Sequence, residues 1–98
     1  MFEIKIADGG NVVLSGRLDA AQEKRASDVF DTLAGPQTVD LKALDYISSL
    51  GLGILLRTQK RLRAAGGGLT LIHVRPHIHD IFRYSGLTQV FDVRKEES

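Results

Sequence analysis

The stretch Leu44-Asp45-Tyr46-Ile47-Ser48-Ser49-Leu50-Gly51-Leu52-Gly53 decides how the rest of the chain reads. Ahead of it, Thr38-Val39-Asp40-Leu41 reads as a short strand; behind it, Ile54 to Ala65 reads as a helix with Leu52, Leu55, Leu56 and Leu62 as its apolar stripe. The two serines therefore fall in a loop at a strand-to-helix junction, and Ser48 or Ser49 is the N-cap. A helix start leaves its first amides unpaired and carries about half a positive charge, so the N–H groups of Leu50, Gly51 and Leu52 favour an anion. A serine in that position is a natural phosphoacceptor. The plainer alternative is that one serine caps the helix and the other satisfies the loop backbone.

Working outward, Gly66-Gly67-Gly68 ends that helix and Leu69 to Val74 returns as a strand. Strand, helix and strand form a βαβ unit with a right-handed crossover, which puts the serines at the carboxyl end of a strand, the usual side for sites in open α/β sheets. At the other end of the chain, Phe2-Glu3-Ile4-Lys5-Ile6 alternates with period two, Asp8-Gly9-Gly10-Asn11 turns, and Val12 to Gly16 is a second strand. The pair is an antiparallel hairpin at one edge of the sheet. Asp19 and Gln22 form the pattern of a capping box for a helix running to about Leu33, with Gln22, Ala26, Val29, Phe30 and Leu33 on one face and Gly35-Pro36 as its stop. Pro76 opens a third helix whose Ile78, Ile81 and Phe82 point inward and whose terminator is Gly86; Val90-Phe91-Asp92-Val93 adds a short final strand. Arg94 to Ser98 reads as a frayed, charged tail. The fold predicted is α/β, one domain over residues 1–98, with a mixed sheet of four or five strands and helices mainly on one face.

Composition narrows the function. A net charge of +1 gives no basic excess for nucleic acid, and the absence of cysteine removes disulfides and thiolate metal sites and suits a reducing cytosol. The longest nearly unbroken apolar run, Leu50 to Leu56, is far short of the roughly 20 residues of a membrane span, and the N-terminus lacks a signal-peptide pattern. The expected location is cytoplasmic.

Other chemistry-bearing residues carry less. Gly51 and Gly53 have no Walker lysine after them, so nucleotide hydrolysis is not indicated and no cofactor is implied. His77 and His79 stand two apart on a helix and diverge by about 200°, which argues against a metal site with His73. Ser49, His73 and Asp40 have no nucleophile elbow around them, so a hydrolytic triad and enzyme activity generally are set aside. Arg57, Lys60 and Arg61 recur at i, i+3 and i+4 opposite the leucine stripe, either as a solvated face or as a basic patch for an acidic protein partner.

The order of Leu14-Ser15-Gly16-Arg17-Leu18-Asp19, Val39-Asp40-Leu41, Tyr46-Ile47-Ser48-Ser49-Leu50-Gly51-Leu52 and Tyr84-Ser85-Gly86-Leu87, over about Phe2 to Val93, closely resembles the STAS domain. The resemblance implies a bacterial anti-sigma-factor antagonist, a non-enzymatic protein that binds a kinase-type anti-sigma factor and is switched off by phosphorylation of one serine. In such antagonists the loop reads Asp-Ser-Ser-Gly-Leu-Gly and the residue before the first glycine accepts the phosphate. Here that position is Leu50, with Ser49 before it and Ser48 in place of the aspartate. The resemblance thus implies Ser49 as the acceptor, less readily Ser48, and a binding surface of Asp19, Tyr46, Ser48, Ser49, Leu50 and Gly51 together with Arg57, Lys60 and Arg61. Its alternative is a constitutive STAS adaptor, such as a subunit of a lipid-transport ABC complex, with no switch.

Overall fold

The computed structural model describes residues 1–95 of the chain. Five strands, β1 (Phe2–Ile6), β2 (Val12–Leu18), β3 (Pro36–Ile47), β4 (Gly68–Val74) and β5 (Asp92–Lys95), form one sheet in the order β1-β2-β3-β4-β5. The β1–β2 hairpin is antiparallel and every later pairing is parallel. Each parallel step is bridged by a helix: α1 (Glu23–Phe30, preceded by a 3-10 turn at Ala20–Gln22), α2 (Ser49–Ala64) and α3 (Pro76–Tyr84). Three right-handed crossovers that all step the same way across a sheet must lie on the same face. The mixed sheet with helices on one face follows, as the sequence predicts.

That face holds a single core. Val12, Leu14 and Leu18 of β2, Val39, Leu41, Leu44 and Ile47 of β3, and Leu69, Leu71 and Val74 of β4 are buried beneath Ala26 and Phe30, Ile54, Leu55 and Leu62, and Ile78 and Phe82 of the three helices. Phe82 meets Phe91 edge-on at 5.8 Å. On the second helix, Leu56 is only half-buried, while Ile54, Thr58 and Gln59 join the inward face. Gln59 carries a structural task that its sequence context did not reveal: its Oε1 accepts from the Leu69 amide at 2.6 Å and its Nε2 donates to the Val90 carbonyl at 2.7 Å. The side chain thereby ties α2 to the start of β4 and the approach to β5.

Several boundaries differ from the sequence reading. Strand β3 covers Pro36–Ile47 rather than Thr38 to Leu41, so the first half of the stretch between the expected strand and helix, residues 42–47, is strand. Its pairing with β2 slips twice, between Val13/Ser15 and between Gly16/Arg17, each time giving β3 an extra residue. The inward residues therefore run Val39, Leu41, Leu44, Ile47, and the broken alternation hides a continuous strand from a period-two test. Helix α2 starts at Ser49, directly after the cap at Ser48 as the serine pair predicts, so the helical run read from Ile54 extends back across Gly51 and Gly53 despite their low propensity. Helix α1 ends at Phe30, not near Leu33, and Thr32 and Leu33 continue as a tight turn bonded to the carbonyls of Val29 and Phe30. The Asp19–Gln22 capping box does not form: the 3-10 turn intervenes and neither side chain makes a cap bond. The last strand is Asp92–Lys95 rather than Val90 to Val93, so Arg94 and Lys95 belong to the sheet, with Val74 paired to Lys95. The rest of the expected frayed tail, residues 96–98, lies outside the described residues.

Candidate functional site

The end of β3 lies beside the end of β2, with Ile47 paired to Leu18. From there Ser48 turns the chain into α2. Its backbone is extended (φ −84°, ψ 172°), its amide donates to the Leu18 carbonyl at 2.9 Å, its Oγ accepts from the Gly51 amide at 3.1 Å, and its carbonyl accepts from the Leu52 amide at 2.9 Å. Ser48 is the N-cap, and its hydroxyl is occupied. This corrects the set of free amides: Gly51 and Leu52 are bonded, and those of Ser49 and Leu50, the first two helical residues, lack such partners among the described residues.

Ser49 is exposed, and its hydroxyl makes no hydrogen bond among the described residues. Leu50 beside it is 47 % exposed, an unusual position for a leucine in a chain that buries most of its large apolar side chains. Gly51 has a clear internal cause. A Cβ there would sit 2.8 Å from Ile47 Cγ1 and 2.9 Å from Leu18 Cγ, because the first turn of α2 presses on the ends of β2 and β3.

Asp19 follows Leu18, whose carbonyl anchors Ser48, so it lies at the same end of the sheet. It is half-buried, and its Oδ1 is shielded from solvent with no hydrogen-bond partner among the described residues. Tyr46 is brought to the same end, but on the face of the sheet away from the helices, where the Arg17 guanidinium lies 4.4 Å from its ring centroid.

The basic triad is divided. Arg57 reaches Ser27 Oγ at 3.0 Å and Asp31 Oδ1 at 3.7 Å, and Arg61 donates to the Phe30 carbonyl at 2.9 Å. Both therefore brace α1, whose last carbonyls welcome a cation. Lys60 alone of the three points outward without such a contact among the described residues.

The histidines do not converge. His73 Nδ1 is 3.1 Å from Asp40 Oδ1, and His77 Nε2 is 2.8 Å from the Asp45 carbonyl, next to an Arg75–Asp45 ion pair of 2.8 Å. Among the described residues no group of three or more His, Cys, Asp or Glu is arranged to hold a metal. Asp40 and His73 do meet, but Asp40 lies seven residues of strand before Ile47, roughly 20 Å from the serines, so Ser49 is not their partner. The braces Arg75–Asp45 and His77–Asp45 fasten α3 to the strand that leads into Ser48; no linear pattern in the sequence announces them.

A family model described as "Mlab, STAS domain" matches residues 5–94. The chain belongs to the STAS domain family. This STAS domain is 44 % identical over 55 residues to BtrV of Bordetella bronchiseptica, named as a candidate anti-sigma factor antagonist; the match takes in 56 % of the chain and 47 % of BtrV. It is 27 % identical over 102 residues to the anti-sigma-B factor antagonist of Listeria monocytogenes, covering 98 % and 90 % of the two chains. The crystal structure of a candidate anti-sigma factor antagonist from Thermotoga maritima superposes with a TM-score of 0.77 at 20 % identity, over 97 % of this chain and 86 % of that one, a likeness of fold. Among the described residues, no helix is long and apolar enough to cross a membrane.

Proposed function

We propose that this STAS domain is an anti-sigma-factor antagonist that works by partner switching. It is a binding protein rather than an enzyme, and its partner is a kinase-type anti-sigma factor held through the start of α2. The observation that carries the reading is the division of labour between the two serines. Ser48 is committed to the fold at its amide, hydroxyl and carbonyl, whereas among the described residues Ser49 presents an exposed, unbonded hydroxyl beside two free amides. A phosphate on Ser49 would be tolerated by the fold, since the helix start favours a dianion, yet would add about two negative charges to the docking surface. The names of the relatives support the same reading.

In the unmodified state the exposed Leu50 and the first turns of α2 meet the kinase, which is thereby held away from its sigma factor. Phosphorylation of Ser49 expels the antagonist by repulsion and by the cost of desolvating the new charge. One observation favours a second reading, a constitutive STAS adaptor such as a subunit of a lipid-transport ABC complex: Leu50 occupies the family's usual acceptor position and cannot be phosphorylated. Affinity capture from native lysate separates the two, because the first recovers an ATP-using anti-sigma kinase and the second a transporter ATPase. Incubating the recovered kinase with the protein and ATP should then add one phosphate, mapped to Ser49 by mass spectrometry. Absence of phosphate with a kinase that binds would leave the adaptor reading.

A further inference from the structure

Gly53 is the fifth residue of α2 and has no reason within its own fold to be glycine. Its backbone is not among those with positive φ, it is neither cap nor terminus, and a Cβ built on it meets nothing within 4 Å. Gly51, two residues earlier and about 200° round the helix on its inner side, is the contrasting case, where the same Cβ would collide with Ile47 and Leu18. A glycine in a helix interior lowers helix stability relative to alanine, and the usual compensation is close approach of another backbone. Among the described residues nothing approaches.

Gly53 also lies near the middle of the outward arc of α2. By helical rotation, Leu50 stands roughly 60° to one side of it and Lys60 roughly 20° to the other, about 10 Å further along the axis. The helix contains Arg57, Lys60, Arg61 and Arg63 and no acidic residue. Arg57 and Arg61 are spent on α1, which leaves Lys60 and Arg63 outward with no carboxylate within 4 Å among the described residues.

We propose that Gly53 is the point of closest backbone contact with the partner: an acidic segment of the anti-sigma kinase crosses α2 directly over Gly53, packs against Leu50, and sets a carboxylate over Lys60. Charge complementarity selects an acidic segment, and the missing side chain at Gly53 lets it lie closer than any other residue would allow. This inference rests on the antagonist reading.

The test uses full-length protein and the purified anti-sigma kinase that wild type captures. Gly53→Ala should raise Tm by about 4 °C or more, since it relieves a helix-interior glycine in open space, and should weaken kinase binding at least tenfold by calorimetry. Gly53→Leu should weaken it further. Lys60→Glu should also lose at least tenfold at low salt, with the difference shrinking at high ionic strength. A stabilised Gly53→Ala that binds like wild type overturns this inference and leaves the antagonist reading in place. If wild type captures no such kinase, the antagonist reading fails and this inference with it.

Discussion

Changing Ser48 to Ala and Ser49 to Asp, one at a time, should move stability in opposite directions although the residues are neighbours. Ser48→Ala deletes the half-buried Oγ that accepts from the Gly51 amide at 3.1 Å, and loss of an N-cap of this kind costs about 1 kcal/mol, within a range of about 0.5–2. For a domain of this size that is a fall in Tm of about 4–8 °C. Ser49→Asp breaks no bond and places a negative charge on the first turn, where the helix dipole stabilises it by about 0.3–1 kcal/mol. The two variants should therefore differ by about 1–3 kcal/mol in urea melts of unchanged slope. Half-molar salt should erase most of the Ser49→Asp gain and little of the Ser48→Ala loss, because only the former is a surface charge effect. In the same preparations Ser49→Asp, more stable than wild type, should bind the kinase more weakly, while Ser49→Ala binds normally. Losses of the same size and sign at both positions would refute the assignment of cap and acceptor, and so would a Ser49→Ala variant that alone loses about 1 kcal/mol.

Three further outcomes follow from the packing. Gln59→Leu keeps the volume but orphans the Leu69 amide and the Val90 carbonyl, and at about 1–3 kcal/mol for each buried group, partly offset by the more apolar side chain, the urea midpoint should fall by an amount equivalent to about 2–4 kcal/mol. Phe82→Ala should cost about 3–5 kcal/mol, whereas Lys24→Ala, which removes only an exposed pair with Asp28, should stay within about 0.5 kcal/mol of wild type. Arg61→Ala should lose about 1 kcal/mol with its bond to the Phe30 carbonyl, while Lys60→Ala should leave the thermal midpoint unchanged; equal behaviour of the two would restore them to a single solvated patch.

The sequence by itself determined the order and type of every major element, the hairpin edge, the right-handed βαβ step and the strand-to-helix junction at Ser48 and Ser49. These depend on local signals: alternation in β1, glycine punctuation after α2 and α3, proline at the head of α3, and a serine before an apolar period. It also narrowed the cap to two serines. Tertiary structure chose between them, because the choice depends on the Leu18 carbonyl that holds the Ser48 amide, a contact thirty residues away in the chain. Tertiary structure likewise extended β3 through two register slips that only its partner strand reveals, turned Arg57 and Arg61 from a basic patch into braces on α1, and left Asp19 half-buried without the cap its pattern promised. In each case the deciding partner lies on another element, and the side chains that meet across elements leave no periodic trace along either one. Gly51 and Gly53 make the point most sharply: two apart and identical in sequence, they differ only in what a Cβ would touch, and that is fixed by the sheet beneath one and the open space over the other.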